Sequence, residues 1–157
     1  SALLQLGDAR TARGEQRPAL AGYQAALAIV GAIPTTDSLA TSTWRIRHLA
    51  RSRAGDAWSA LGRSDSADAA HRTALAVADT LVRADERNAQ FRAYRATALD
   101  RVADAEYAAG RVEASCVGYR AGLAERRRAV ALAPAEAAQQ RSLSISLQNV
   151  GWCADQE

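Results

Sequence analysis

Leu6-Gly7-Asp8-Ala9-Arg10-Thr11-Ala12-Arg13-Gly14-Glu15-Gln16-Arg17-Pro18-Ala19-Leu20-Ala21-Gly22-Tyr23-Gln24-Ala25-Ala26-Leu27 decides the fold, because its small and aromatic residues return at a fixed interval. Gly7, Gly55, Ala103 and Gly151 stand at equal steps of 48, each preceded by an apolar residue: Leu6, Ala54, Val102 and Val150. Gly14, Gly62 and Gly110 follow, then Ala19, Ala67 and Ser115, then Tyr23, His71 and Tyr119. The series closes with Ala26-Leu27, Ala74-Leu75 and Gly122-Leu123. A fixed period of this length marks a repeat in which no unit can bury its apolar face alone.

Each column has a physical reason. A small residue at Gly7, Gly55, Ala103 and Gly151 lets two helices approach closely. Gly14, Gly62 and Gly110 can take the left-handed conformation that ends a helix. Beyond each such glycine, steps of three and four residues line one face of a second helix with a small residue, a ring and an Ala-Leu or Gly-Leu pair. Burying each large side chain on that face contributes on the order of 2 kcal/mol.

Working outward, the pattern predicts helices over about 1–13, 16–31, 38–61, 65–84, 88–109, 112–132 and 136–154. The joints carry turn chemistry: Pro34-Thr35-Thr36-Asp37-Ser38, Asp85-Glu86-Arg87-Asn88 and Ala133-Pro134-Ala135. Ser64 is placed to cap the fourth helix, with Asp65 and Asp68 near its positive end. Short joints imply antiparallel neighbours. The expected fold is therefore all-α, about seven antiparallel helices in one array. Its units span roughly 1–36, 37–84, 85–132 and 133–157, the outer two incomplete.

Composition agrees. The 157 residues are 48% hydrophobic, enough to bury a sizeable core, with alanine and leucine dominant and a single phenylalanine. Strands would want more β-branched and aromatic residues. No run approaches the roughly 20 apolar residues of a membrane span, and no basic-then-apolar leader opens the chain. The chain reads as a soluble piece cut from something longer, since Ser1-Ala2 runs straight into a helical pattern without an initiating methionine.

The net charge is +3, and all twenty basic residues are arginine. A modest excess spread along helices reads as a solvated surface rather than a nucleic-acid site. Arg126-Arg127-Arg128 is expected on an outer face; its functional alternative is contact with a phosphate or an acidic partner. Cys116 and Cys153 lack metal-site spacing and are expected to be small core residues. A disulfide forms between them if they face one another in an oxidising compartment. His71 stands in the ring column and is expected in the core, and His48 stands alone, so no metal site and no cofactor is expected. No nucleophile elbow, paired catalytic carboxylates or phosphate loop stands out, and no catalytic residue is assigned.

These residues resemble the tetratricopeptide repeat family. Leu6-Gly7, Gly14, Ala19, Tyr23 and Ala26 follow its signature; a second copy runs Ala54-Gly55, Trp58, Gly62, Ala67, His71, Ala74. A weaker third runs Val102-Ala103, Gly110, Ser115, Tyr119, Gly122. The family's ordinary repeat is about 34 residues, so both helices are lengthened here. Arg83-Ala84-Asp85-Glu86-Arg87-Asn88-Ala89 and Ser142-Leu143-Ser144-Ile145-Ser146-Leu147 look like a long-period bacterial variety. In proteins of that variety the array often follows a eukaryotic-like serine/threonine kinase domain. The resemblance spans nearly the whole chain and implies a superhelical scaffold with a concave groove that takes a protein or peptide segment.

Carried over by column, the groove lining is Asp8, Asp56, Asp104 and Trp152; Thr11, Ser59, Tyr107 and Asp155; and Leu4, Ser52, Asp100 and Gln148. These positions share one helix face. The expectation is a locally acidic groove in which Asp56, Asp100 and Asp104, with Tyr107 and Trp152 as anchors, hold a basic segment. The plainer reading is that Arg53 and Arg101, each three residues before an aspartate, neutralise Asp56 and Asp104 within their own helices. Self-association through apolar end faces is the alternative function, and nucleic-acid binding through surface arginines is the third.

Overall fold

A computed structural model describes residues 1–33 and 40–154. The turn expected at Pro34-Thr35-Thr36-Asp37-Ser38, the start of the third helix and the groove position Asp155 lie outside the described residues.

The fold is all-α. Seven helices are described: α1 (Ala2–Ala12), α2 (Gln16–Gly31), α3 (Ala40–Ala60), α4 (Ser64–Ala84), α5 (Ala89–Ala108), α6 (Val112–Leu132) and α7 (Ala137–Ala154). No strand occurs among the described residues. The 48-residue step is visible in the helices themselves, since α4 and α6 begin and end one period apart.

The predicted helix stops hold. Gly14, Gly62 and Gly110 are the glycines at positive φ, 78°, 71° and 76°. Each closes the same turn: Gly14 N–H donates to Thr11 O and Glu15 N–H to Arg10 O, both at 2.9 Å. Gly62 with Arg63, and Gly110 with Arg111, repeat that pair of bonds. At the α4–α5 joint, Asn88 caps α5 by accepting from Gln90 N–H and Phe91 N–H at 3.1 and 3.2 Å. Ser64 is itself the first residue of α4, so the helix begins one position before the expected start.

Contacts divide the chain into two compact units, Ser1–Leu81 and Val82–Glu157. In the first, Tyr23, 2% exposed, sits among Leu4, Ala19, Leu20, Ala26, Ala50, Ala54 and Ala57. An alanine-rich surface suits this arrangement, because small side chains let helix axes approach while a few large ones fill the space between. His48 is buried there too, its Nδ1 3.0 Å from Ala74 O, and burial pushes its pKa down, so it stays neutral.

In the second unit α5 and α6 run antiparallel, with Asp104 against Tyr119, Asp100 against Arg126 and Arg92 against Glu125. The α6–α7 seam is thin. Cys116, Tyr119 and Cys153 pack with Ala103, and Val112, Val150 and Trp152 border them. A disulfide joins Cys116 to Cys153, with Cα atoms 5.6 Å apart, so the condition that the two face one another is met.

Candidate functional site

The aspartates that follow the small-residue column share one arrangement. Tyr23 donates its hydroxyl to Asp8 Oδ1 at 3.1 Å, and Tyr119 donates to Asp104 Oδ1 at 2.7 Å. In the middle repeat His71 replaces the tyrosine and its Nε2 lies 3.8 Å from Asp56 Oδ1. The ring packs over the small residue so tightly that a Cβ on Gly7 would collide with Tyr23, and one on Gly55 with His71. Close helix approach and the carboxylate's position therefore have one cause.

All three carboxylates keep an outward side, being 42%, 45% and 49% exposed. In the first unit, Asp8, Thr11, Gln16, Tyr23, Arg53 and Asp56 line an open cleft of about 480 Å³. Thr11 Oγ1 shares a hydrogen bond of 3.0 Å with Tyr23. Arg53 Nε lies 3.0 Å from Asp8 Oδ1, tying α3 to α1. Burial pushes the Tyr23 phenol up, and it pushes Tyr119 up to about 12, helped by the charge of Asp104. Both hydroxyls thus remain protonated donors, fixing carboxylates that can receive a cationic group.

The other expected groove positions are distributed differently. Leu4 is buried at 4%, in the core rather than in a groove. Ser52 is half-buried, and Ser59 and Gln148 are exposed. Asp100 faces α6, where Arg126 Nη2 lies 3.0 Å from its Oδ2. Burial raises its pKa to about 6 despite that guanidinium. Tyr107 and Trp152 meet edge to face, with ring centroids 5.0 Å apart. Arg101 reaches Asp104 at 3.5 Å, as the plainer reading anticipates, whereas Arg53 reaches Asp8 in a different helix.

The expectation of a solvated arginine run needs correction at one residue. Arg127 and Arg128 are exposed, but Arg126 is only 6% exposed. It occupies the column of Val30 and Ala78, and Asp100 occupies the column of Leu4 and Ser52. An ion pair in the third repeat thus stands where the first has an apolar pair. Glu125, 2% exposed, is held by Arg92 and Arg95 at 2.9 Å and Arg128 at 2.5 Å. Burial pushes its pKa up, but the three guanidinium groups outweigh burial and hold it below the usual range. Apart from Arg128 with Glu125, three residues apart in α6, nothing local in the sequence announces these pairs, because their members come from different helices.

Among the described residues no three metal-ligating groups gather, and no helix is long and apolar enough to cross a membrane. No protein-family model and no curated protein matches this chain.

Proposed function

We propose that this chain is a protein-interaction module of the tetratricopeptide kind, whose aspartate row in the first unit, Asp8 and Asp56, receives a segment of a partner bearing arginine or lysine. The observation that carries the reading is the recurrent carboxylate, half exposed and held on a buried hydroxyl at Asp8 and Asp104. A carboxylate positioned before binding loses less freedom when a cation arrives. The cleft lined by Asp8, Thr11 and Asp56 supplies room beside the row. The likeness of the long-period repeat to arrays that follow bacterial serine/threonine kinases makes such a signalling protein the proposed parent.

The test is titration of a fluorescent arginine-rich peptide, with its acidic counterpart as control. Combined Asp8→Asn and Asp56→Asn substitutions should weaken binding at least about tenfold while helicity is retained. Equal affinity for the variant and the parent, or equal binding of the acidic peptide, would remove the row from the interface.

A second reading is self-association, favoured by exposed apolar side chains at Ile29 (59%), Val117 (60%) and Ile145 (58%). Sedimentation across a concentration series separates it: a monomer throughout excludes it.

A further inference from the structure

The geometry points to a second binding site in the first unit, between α2 and the turn that joins α3 to α4, which takes a small organic oxyanion: a carboxylate or phosphate group on an apolar body.

The residues come together for local reasons. Arg17, Leu20 and Gln24 succeed one another at steps of three and four, so they share one face of α2. The turn at Gly62 folds the chain back, and Arg63 N–H donates to Trp58 O at 2.9 Å. That return lays the Arg63 guanidinium over the indole, with Cζ 5.5 Å from the ring centroid. With Leu61 these residues line a cavity of about 310 Å³. Its size stands at the lower end of small-molecule pockets, which run from roughly 300 to 1,000 Å³.

The charge in this cavity is one-sided. Its lining holds two arginines and no carboxylate. Neither guanidinium forms an ion pair or hydrogen bond with any described residue. Stacking on Trp58 holds the Arg63 fork in place and leaves its in-plane donors for an oxyanion. Buried Leu20 and half-buried Trp58 and Leu61 give the apolar wall.

The repeat supplies the comparison. One period later Leu20 corresponds to Asp68, Gln24 to Arg72, Trp58 to Glu106 and Arg63 to Arg111. There the chain's own acids neutralise the arginines: Asp68 pairs with Arg72 at 2.9 Å, and Glu106 pairs with Arg111. In the first copy apolar residues replace both acids, while Arg63 remains and Arg17 stands in the column of Asp65. The ligand that completes the site therefore brings the oxyanion for the two arginines and apolar atoms for Leu20, Leu61 and Trp58. The acidic cleft of the same unit takes the opposite charge, and neither Asp8 nor Asp56 lines this cavity, so the two tests succeed or fail separately.

The probes are phenylacetate and phenyl phosphate, titrated onto the whole chain and followed at the Trp58 indole N–H resonance, with benzyl alcohol as the neutral control. At least one anion should bind saturably and at least about tenfold tighter than the alcohol; the tighter of the two identifies carboxylate or phosphate as the group recognised. Combined Arg17→Gln and Arg63→Gln should weaken binding by at least about tenfold with helicity retained, because both side chains are exposed. Gln24→Glu, also at an exposed position, gives the arginines a carboxylate of the chain's own and should weaken binding as much. No saturable binding of either anion, equal binding of benzyl alcohol, or binding that either variant leaves unchanged overturns the proposal. So does an amidated peptide containing Glu-Phe-Glu that shifts the same resonance and binds at least about tenfold tighter than both anions, which would make a protein segment the occupant.

Discussion

The hydroxyl of Tyr119 lies 2.7 Å from Oδ1 of Asp104, fifteen residues earlier in the chain, and Tyr23 with Asp8 repeats the relationship at the same separation. Removing the hydroxyl in Tyr119→Phe should cost about 1 kcal/mol in denaturant unfolding. The folded-state phenol is raised from 10.0 to about 12, so its contribution is complete below pH 10 and is lost as pH rises through 12. The Phe variant should show a shallower alkaline loss of stability than the parent.

Asp100 and Glu125 should respond to acid in opposite senses. Asp100 is raised from 3.8 to about 6, so its contribution is complete below 3.8 and is lost as pH rises through 6. Glu125 is lowered from 4.5, so its contribution is present above 4.5 and is lost as pH falls below that value. Unfolding free energies measured from pH 3 to 8 should therefore show Asp100→Asn falling further behind the parent as pH drops from about 6 to 4. Over the lower part of the range Glu125→Gln should draw closer to it. Parallel curves for all three proteins would refute both assignments.

One column should yield mutations of opposite sign. Gly7→Ala drives a methyl into the buried Tyr23 ring and should destabilise by about 1–3 kcal/mol. Gly151→Ala meets nothing within 4 Å and should stabilise by about 0.5–1 kcal/mol through helix propensity. Thermal melts of the two single variants decide it.

Reduction of the Cys116–Cys153 disulfide should destabilise the chain by about 4 kcal/mol in the chain-entropy account, given a sequence separation of 37. Loss should concentrate in α7, whose buried residues are Gln139, Ser146 and Cys153, with no large aliphatic among them. Hydrogen exchange with and without a dithiol should show α7 amides losing protection before those of α5 and α6. Uniform loss would contradict a local role for the bridge.

Much of the architecture was legible without coordinates. Gly14, Gly62 and Gly110 were identified as helix stops because a positive φ is a local demand that glycine meets best, and all three have it. The ring column was placed in the core, and Tyr23, His71 and Tyr119 are buried there at 2%, 4% and 7%. The groove positions were less legible. Helical periodicity puts Leu4, Asp8 and Thr11 on one side of α1, but it does not say whether that side meets solvent or α2.

The amino-acid order by itself determined where helices begin and end and which residues recur, since caps, turns and apolar spacing act within a few residues. Only the tertiary structure decided who meets whom: Arg126 with Asp100, 26 residues away, Arg53 with Asp8 in another helix, and Cys116 with Cys153. Those pairings follow from how helices face one another in space. A period of 48 residues repeats that facing from unit to unit but does not set its direction.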